Sequence, residues 1–350
     1  MSELTIEWRS ESAWAPLQTV AVAAEWDRLN AQRGDLPFLA AAVVANALNV
    51  FGSGKERLFT GRRSGAVVAM FVLVPTGALR WQTFQPSQIP LGSWVAVAEL
   101  DLARLSESLI GSLGMCLALS ITQIDPRLAP RGIDTDRLNH ADYIDTGWID
   151  VHGTFDEYWA ARGKNLRQNM RKQRNKLSAD GVGTRMRVLR AAADMADAIV
   201  RYGALESTGW KAGEGTAIHP DNAQGRFYRG LLEAAATRGE AVVYEYFFDD
   251  RTVAMNLCLI RAGTLVVLKT TYDETIKSLS PAFMLREEEL QTIFAGNEVR
   301  RIEYYGRLME WHTKLTENKR TLYHLTRYRW PWVKQLAASR RKVAPVDAHP

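Results

Sequence analysis

Three short segments rich in valine and aromatic residues follow one another in the C-terminal half, with only two tight turns between them. They read "AVVYEYFF" at 241–248, "TVAMNLCLI" at 252–260 and "TLVVLKTTY" at 264–272, joined by "DDR" and "RAG". Runs of this kind bounded by turn residues are typical of neighbouring antiparallel strands. The sequence therefore predicts a three-stranded meander.

A helix is predicted directly after the third strand. Ser280 suits the N-cap and Pro281 suits the first helical position, where a missing N–H costs nothing. The pattern places "REEE" (286–289) toward water and ends the helix near Gly296. A strand "VRRIEYYG", a short helical stretch around "WHTKLTENKR" and a last strand "TLYHLTRYR" complete the order.

The N-terminal half repeats this order of elements. "RLFTGRRSGAVVAMFVLVPTGALRWQTF" has the same rhythm, and "VVAM" at 67–70 answers "TVAM" at 252–255. We therefore predict two copies of one α/β unit with a boundary near residue 150. The first copy has "WQTFQPSQIPLG" where the second has "KTTYDETIKSLSP", so the second half is expected to carry most of any site.

Composition limits the class of protein. With 350 residues, 47% of them hydrophobic and 24% charged, the chain suits two globular domains. No apolar run reaches the roughly 18–20 residues of a membrane span, and the N-terminus does not resemble a signal peptide, so a cytoplasmic location is expected. Cys116 and Cys258 fall in apolar runs that suggest buried free thiols, and no histidine or cysteine spacing indicates a metal site. The net charge of +5 allows an anionic ligand.

Four segments carry a family resemblance: "NLRQNMRKQRNKLSADGV", "ESTGWKAGEGTAI", "LKTTYDETIKSLSP" and "IEYYGRLMEWHTKL". The C-terminal order resembles the GNAT (GCN5-related N-acetyltransferase) fold. The whole chain is similar to tandem-GNAT proteins of the CelD-type cellulose-biosynthesis acetyltransferase family, which are relatives of the FemABX aminoacyltransferases. The resemblance implies two tandem GNAT-like domains, each a mixed, mostly antiparallel sheet flanked by helices. It implies a degenerate domain at 1–148, an acyltransferase domain at 149–335 and a disordered basic tail at 336–350.

The resemblance also implies a site for acetyl-CoA or another acyl-CoA, with no metal. A GNAT holds the thioester where two strands part, and the following helix binds the pyrophosphate at its N-terminus. The family commonly has glycine where this chain has Ala282, and many relatives have a Tyr-Lys pair where it has Trp311-His312. The residues expected to contact the donor are Leu268, Thr270, Ser280, Pro281, Ala282, Phe283 and Met284.

Candidate catalytic residues cluster at the end of the third strand. Lys269 and Asp273 alternate with Thr270 and Tyr272, so each set shares one face. Tyr272 is a candidate acid for the leaving thiolate, and Asp273 or Glu274 a candidate proton acceptor. The alternative is that "YDE" is a solvated turn. His312 is a candidate late base or orienting group.

Candidate acceptor-binding residues are more scattered. Trp210 and Lys211 precede a glycine-rich loop and, with Glu206, suit an acceptor-binding lid or a buried loop anchor. The family resemblance implies that Glu303 and Tyr305 also bind the acceptor. Residues 162–176 carry seven basic residues and no acid, with Arg167, Arg171 and Arg174 on one helical stripe. This stripe suits an acidic ligand, a tRNA, a membrane surface or a solvated helix face.

Three functions follow from these observations. The first is an acyl-CoA-dependent N- or O-acyltransferase acting by direct attack on a saccharide, polysaccharide precursor or small-molecule acceptor. The second is an aminoacyl-tRNA-dependent aminoacyltransferase of the FemABX type, and only this alternative requires tRNA. The third is a non-catalytic GNAT-like scaffold in exopolysaccharide biosynthesis. The sequence does not specify the acceptor or the oligomeric state.

Overall fold

The structure is a computed structural model, and it describes residues 5–207 and 218–343, with side chains through residue 339. Elements of the first 150 residues are, in chain order, β1 (Glu7–Ser12), α1 (Val20–Gln32), α2 (Ala41–Phe51), β2 (Arg57–Arg63), β3 (Ala66–Gly77), β4 (Arg80–Thr83), β5 (Trp94–Ala96), α3 (Leu102–Ser112), β6 (Ala118–Ile124) and β7 (Leu138–Asp150). The remaining elements are α4 (Phe155–Ala160), α5 (Lys164–Ala179), β8 (Thr184–Leu189), α6 (Ala192–Glu206), α7 (Ala223–Ala236), β9 (Ala241–Phe248), β10 (Arg251–Arg261), β11 (Thr264–Tyr272), α8 (Pro281–Ala295), β12 (Arg301–Glu303), α9 (Glu310–Thr313), β13 (Lys319–Tyr328) and α10 (Pro331–Val343).

The chain forms two compact units. Unit 1 comprises residues 1–144 with 321–350, and unit 2 comprises residues 145–320. The predicted boundary near residue 150 falls close to the first division. The structure differs from the sequence-based division at the C-terminal end, because residues from 321 onward contact unit 1. Helix α10 also includes residues 336–343, which the sequence placed in a tail without regular structure.

The sheet of unit 1 begins as an antiparallel series. β1 pairs with β2, β2 with β3 and β3 with β4, all antiparallel. β4 then pairs in parallel with β6, and β6 pairs antiparallel with β13. Helix α3 connects the parallel strands β4 and β6 by way of β5, and its apolar side lies in the core of this unit.

The sheet of unit 2 repeats the same pattern. β8, β9, β10 and β11 pair in order as antiparallel neighbours, so the predicted meander is confirmed. β11 pairs in parallel with β12 across helix α8, and β12 pairs antiparallel with the end of β7. The "VVAM" and "TVAM" segments lie on β3 and β10, which hold equivalent places in the two sheets.

Helix α8 is buried on most of its circumference. Met284, Leu285, Leu290 and Ile293 lie in the core of unit 2. Arg286, Glu287 and Glu289 are also buried, so the prediction that "REEE" faces water is wrong. The physical reason is that the sheet covers one side of α8, while on another side Arg174 of α5 donates to Glu287 and Glu288.

Candidate active site

Strands β11 and β12 are paired only at their start. The parallel register joins Thr264 to Arg301 and ends where Val266 meets Glu303. β11 continues for six more residues, whereas the chain after β12 turns toward β7, because the Tyr304 N–H donates to the Gly147 carbonyl at 3.2 Å. A V-shaped gap therefore opens between the two strands, and we call it the splay.

Two backbone amides of β11 face the splay. The Asp273 N–H donates to the Val253 carbonyl of β10 at 2.8 Å. Successive residues of a strand direct their backbone groups to opposite edges. The amides of Tyr272 and Thr270 therefore point to the other edge, where β12 has diverged. Such amides are available to polarise a carbonyl oxygen placed between the strands.

A bulge in β11 sets the side-chain directions next to the splay. Leu257 of β10 faces Lys269 while the next residue, Cys258, faces Val267, so Leu268 is the extra residue. Beyond the bulge the side chains alternate as predicted. Thr270 accepts a hydrogen bond from Arg286 on the α8 side of the sheet, and Lys269 donates to Glu206 of α6 on the other side.

Helix α8 begins beside the splay with an unusual turn. Ser280 is the N-cap residue and has the left-handed backbone, φ 56°, that non-glycine residues rarely adopt. Its carbonyl accepts the N–H groups of Phe283 and Met284. No backbone carbonyl in the described part of the chain accepts the Ala282 N–H. The Ser280 hydroxyl does not cap the helix as predicted, because it accepts from the Asn169 side chain at 3.2 Å instead.

An open cleft of about 610 Å³ lies at this helix start. It is bounded by the beginning of α5, the beginning of α8 and the turn that follows α9. Asn169, Ser280, Phe283 and Lys314 are among its lining residues. The cleft thus combines amide and hydroxyl groups with the positive end of a helix, which suits an anionic group.

A buried polar network lies under the splay, between α8 and the sheet. The Arg286 guanidinium donates to Thr270 Oγ1 at 2.9 Å and lies 3.9 Å from the ring centre of Trp311. Glu289 accepts from Asn256 Nδ2 at 2.6 Å, and its second oxygen has no hydrogen-bond partner in the described part of the chain. Burial raises the pKa of Glu289 to about 7, against the attraction of Arg286. This network connects α8 to a residue whose amide faces the splay.

His312 lies in a setting that disfavours a general base. Its Nδ1 accepts the Met309 N–H at 2.8 Å, so the neutral ring carries its hydrogen on Nε2. Burial, together with the nearby Arg286 charge, lowers the pKa of His312 to about 4. The ring packs against Trp311 and Tyr304. His312 can therefore donate a hydrogen bond from Nε2 at neutral pH. It cannot accept a proton readily, because the lone pair of Nδ1 already accepts the Met309 N–H.

The acids after β11 cap a turn. Asp273 is buried, accepts from the Thr275 N–H and hydroxyl at 2.9 and 2.6 Å, and pairs with Arg251. Glu274 opens the short 3₁₀ helix Glu274–Leu279 and is half-buried. Tyr272 packs against the core at the end of β11. These contacts favour a structural role for Asp273, whereas Glu274 and Tyr272 are only partly buried.

Glu206 and Lys269 meet on the face of the sheet opposite α8. The Glu206 carboxylate is buried, accepts the Ile218 N–H at 2.7 Å and lies 3.5 Å from Lys269 Nζ. Trp210 and Lys211, which were predicted with Glu206 to bind the acceptor, lie outside the described residues. The structure therefore places Glu206, a predicted acceptor-binding residue, beside Lys269, a predicted catalytic residue.

The remaining predicted residues have other surroundings. Arg167 and Arg171 are exposed on α5, but Arg174 pairs with Glu287 and Glu288. Glu303 is buried between Arg301 and Arg320. Tyr305, with a left-handed φ of 52°, is buried under the Arg320 guanidinium. Neither residue lines the cleft.

Sequence reasoning missed Asn169, Asn256, Arg286 and Glu289. Asn169 falls within a helix whose most visible feature is its charge. Asn256 lies in the apolar strand β10, where a single side-chain amide among apolar residues was the only sequence feature that indicated a buried hydrogen bond. Arg286 and Glu289 belong to a run that reads as a solvated helix face. Among the described residues no group of three or more His, Cys, Asp or Glu could hold a metal ion.

Comparison with known proteins agrees with this geometry. Residues 164–313 match the acetyltransferase (GNAT) domain. The match includes α5, strands β11 and β12 beside the splay, the start of α8 and His312, and it ends at the last residue of α9. The match therefore contains most of the candidate site, whereas Lys314 of the cleft lies just beyond it.

Solved structures share the fold over nearly the whole chain at low identity. A conserved protein of unknown function from Bacteroides thetaiotaomicron has a TM-score of 0.53 at 10% identity, covering 93% of this chain and 100% of that one. The C-terminal domain of a putative lysylphosphatidylglycerol synthetase from Agrobacterium fabrum has a TM-score of 0.50 at 12% identity, covering 94% and 99%. No curated protein matches the chain. The chain has an α/β fold of two tandem GNAT-like units.

Proposed function

We propose that the protein is an acyl-CoA-dependent transferase that moves an acetyl or similar acyl group to an amine or hydroxyl. The observation that carries the proposal is the splay, with the Thr270 and Tyr272 amides facing it. The cleft at the start of α8 suits the diphosphate of the donor, and the described residues fit such a group. The acceptor would be a sugar, a polysaccharide precursor or a small metabolite, as in a CelD-type enzyme of the cytoplasm.

The proposed reaction is direct attack by the acceptor on the thioester carbonyl. The new bond forms as the carbon–sulfur bond breaks, the attacking group loses a proton and the thiolate gains one. Tyr272 and Glu274 are the candidate acid and base at the end of β11. Lys269 and Glu206 would bind the acceptor from the opposite face. His312 would orient groups as a hydrogen-bond donor.

Replacing Asn169 with aspartate tests the donor site. The new carboxylate has the shape of the amide it replaces and would repel a diphosphate in the cleft. Two unit charges about 6 Å apart at an effective dielectric constant of about 20 repel by about 3 kcal/mol, so acetyl-CoA should bind about 10- to 100-fold more weakly. Calorimetric titration with acetyl-CoA and with CoA measures this change.

Asn175→Asp on the same helix is the matched control. Asn175 is exposed and does not line the cleft, so its variant should bind acetyl-CoA like the unchanged protein. Residue 169 lies beside the N-terminus of α8, where a carboxylate is electrostatically favourable, so Asn169→Asp should not lower the melting temperature. Equal binding by both variants would exclude the cleft as the diphosphate site. Absence of binding by the unchanged protein would exclude the acyl-CoA donor.

A second candidate function rests on the surface of α5. Lys164, Arg167, Arg171, Lys172 and Lys176 are exposed on this helix, which contains no acid. Such a surface suits an RNA backbone, as an aminoacyl-tRNA-dependent transferase would require. We expect Arg167→Gln with Arg171→Gln to reduce tRNA affinity and its dependence on salt concentration. If the protein binds neither acyl-CoA nor tRNA, the result would favour the third function, a non-catalytic scaffold.

A further inference from the structure

Unit 1 exposes a patch of large apolar side chains around helix α10. Trp330, Trp332 and Leu336 are 41%, 54% and 46% exposed, and Met115 and Leu79 are 72% and 37% exposed. We call these five residues the apolar patch. Large exposed apolar residues scattered singly need no explanation, but a contiguous group indicates an interaction surface.

Several contacts show that the patch is continuous. Leu79 and Leu336 line one open groove of about 490 Å³. The Leu117 N–H donates to the Leu79 carbonyl at 2.7 Å. The Arg329 guanidinium donates to the Gly114 carbonyl at 2.6 Å, which brings Met115 next to the start of α10. Trp330 and Trp332 stack with ring centres 5.8 Å apart.

Helix α10 has an apolar stripe wider than the core it covers. Val333 is buried and Ala337 packs beside it against Ala118 and Tyr328. Trp332 and Leu336 precede these two residues in the sequence by one position each, so they extend the same stripe toward solvent. Unit 1 thus buries Val333 and partly buries Ala337, whereas Trp332 and Leu336 remain in contact with water.

The charge of this segment indicates what covers the patch. Residues 329–343 contain Arg329, Lys334, Arg340, Arg341 and Lys342 and no aspartate or glutamate. Arg80 is exposed and lines the same groove. Tryptophan side chains favour the interface between water and lipid, and a basic helix with an apolar side lies in the plane of an anionic membrane surface.

We propose that the apolar patch and helix α10 dock the protein onto an anionic lipid bilayer. Within the described residues no helix is long and apolar enough to cross a membrane, so the contact would be peripheral. The tryptophan pair and Leu336 enter the headgroup region, and the basic residues of the segment attract anionic headgroups. The donor site lies in unit 2, so this inference is independent of the proposed reaction.

Vesicle co-sedimentation of the full chain tests the proposal. We expect binding to vesicles of phosphatidylcholine mixed with phosphatidylglycerol, weaker binding to phosphatidylcholine alone, and loss of binding as NaCl is raised. Trp332→Ser with Leu336→Ser should lower the partition coefficient by about tenfold. Arg340→Gln, Arg341→Gln and Lys342→Gln together should remove the preference for phosphatidylglycerol.

The matched control changes two exposed apolar residues outside the patch. Val20 and Ile133 are each 87% exposed in unit 1, so Val20→Ser with Ile133→Ser should bind vesicles like the unchanged protein. Equal loss in both double variants would overturn the proposal, as would absence of vesicle binding by the unchanged protein. Self-association that disappears in Trp332→Ser with Leu336→Ser, without vesicle binding, would assign the patch to a second copy of the chain instead.

Discussion

Replacing Glu303 with alanine is expected to destabilise the protein by about 3–5 kcal/mol. The Glu303 side chain is 1% exposed and lies 2.8 Å from Arg320, which is 7% exposed. Arg320 also lies between the rings of Trp148 and Tyr305. The variant removes the carboxylate from this buried guanidinium, and most of the loss comes from burying the charge without that ion pair. Urea unfolding of both proteins measures the difference.

Glu298→Ala is the matched control for this change. Glu298 pairs with Arg190 at 2.8 Å, but both side chains are about half exposed, so the loss should be at most about 1 kcal/mol. Replacing Glu303 and Arg320 together with methionine should recover much of the stability. If Glu303→Ala instead unfolds like the unchanged protein and loses only acceptor binding, then Glu303 contacts the substrate.

Replacing Glu289 with glutamine is expected to stabilise the protein at pH 8 and not at pH 5. Burial raises the pKa of Glu289 from its ordinary 4.5 to about 7, so the folded state holds this proton more tightly than the unfolded chain. The contribution to stability is complete below pH 4.5 and is lost as the pH rises to about 7. The loss amounts to about 3 kcal/mol, which the variant should recover because glutamine does not ionise.

Unfolding free energies at the two pH values measure this effect. The glutamine side chain can also donate to Oδ1 of the Asn256 side chain, which has no hydrogen-bond partner in the described part of the chain. Asp250→Asn is the control, because Asp250 is fully exposed in unit 2, so its variant should not reproduce the gain in stability at pH 8. An equal gain at pH 5 and pH 8 would show that packing, and not ionisation, limits this site.

Local patterns predicted the elements around the site well. The meander, the Ser-Pro start of α8 and the alternation of Lys269 with Thr270 depend on residues within a few positions of one another. The prediction that "REEE" faces water was wrong, because a periodic pattern assigns polar residues to solvent whenever their partners are distant in sequence. Asn256 is 33 positions from Glu289, and Arg174 is 113 positions from Glu287.

The sequence alone determined that the chain has two copies of a β-meander followed by a helix and a further strand, since turn residues and β-branched runs encode these features locally. Tertiary structure decided how the last strands are distributed. β13 follows β12 in the chain but pairs with β6 in unit 1, and the end of β7 pairs with β12 in unit 2. It also decided where β11 and β12 part, because strand pairing depends on hydrogen bonds between residues far apart in sequence. The same dependence buries Arg286, Glu289 and Glu303, whose charges a sequence assigns by default to water.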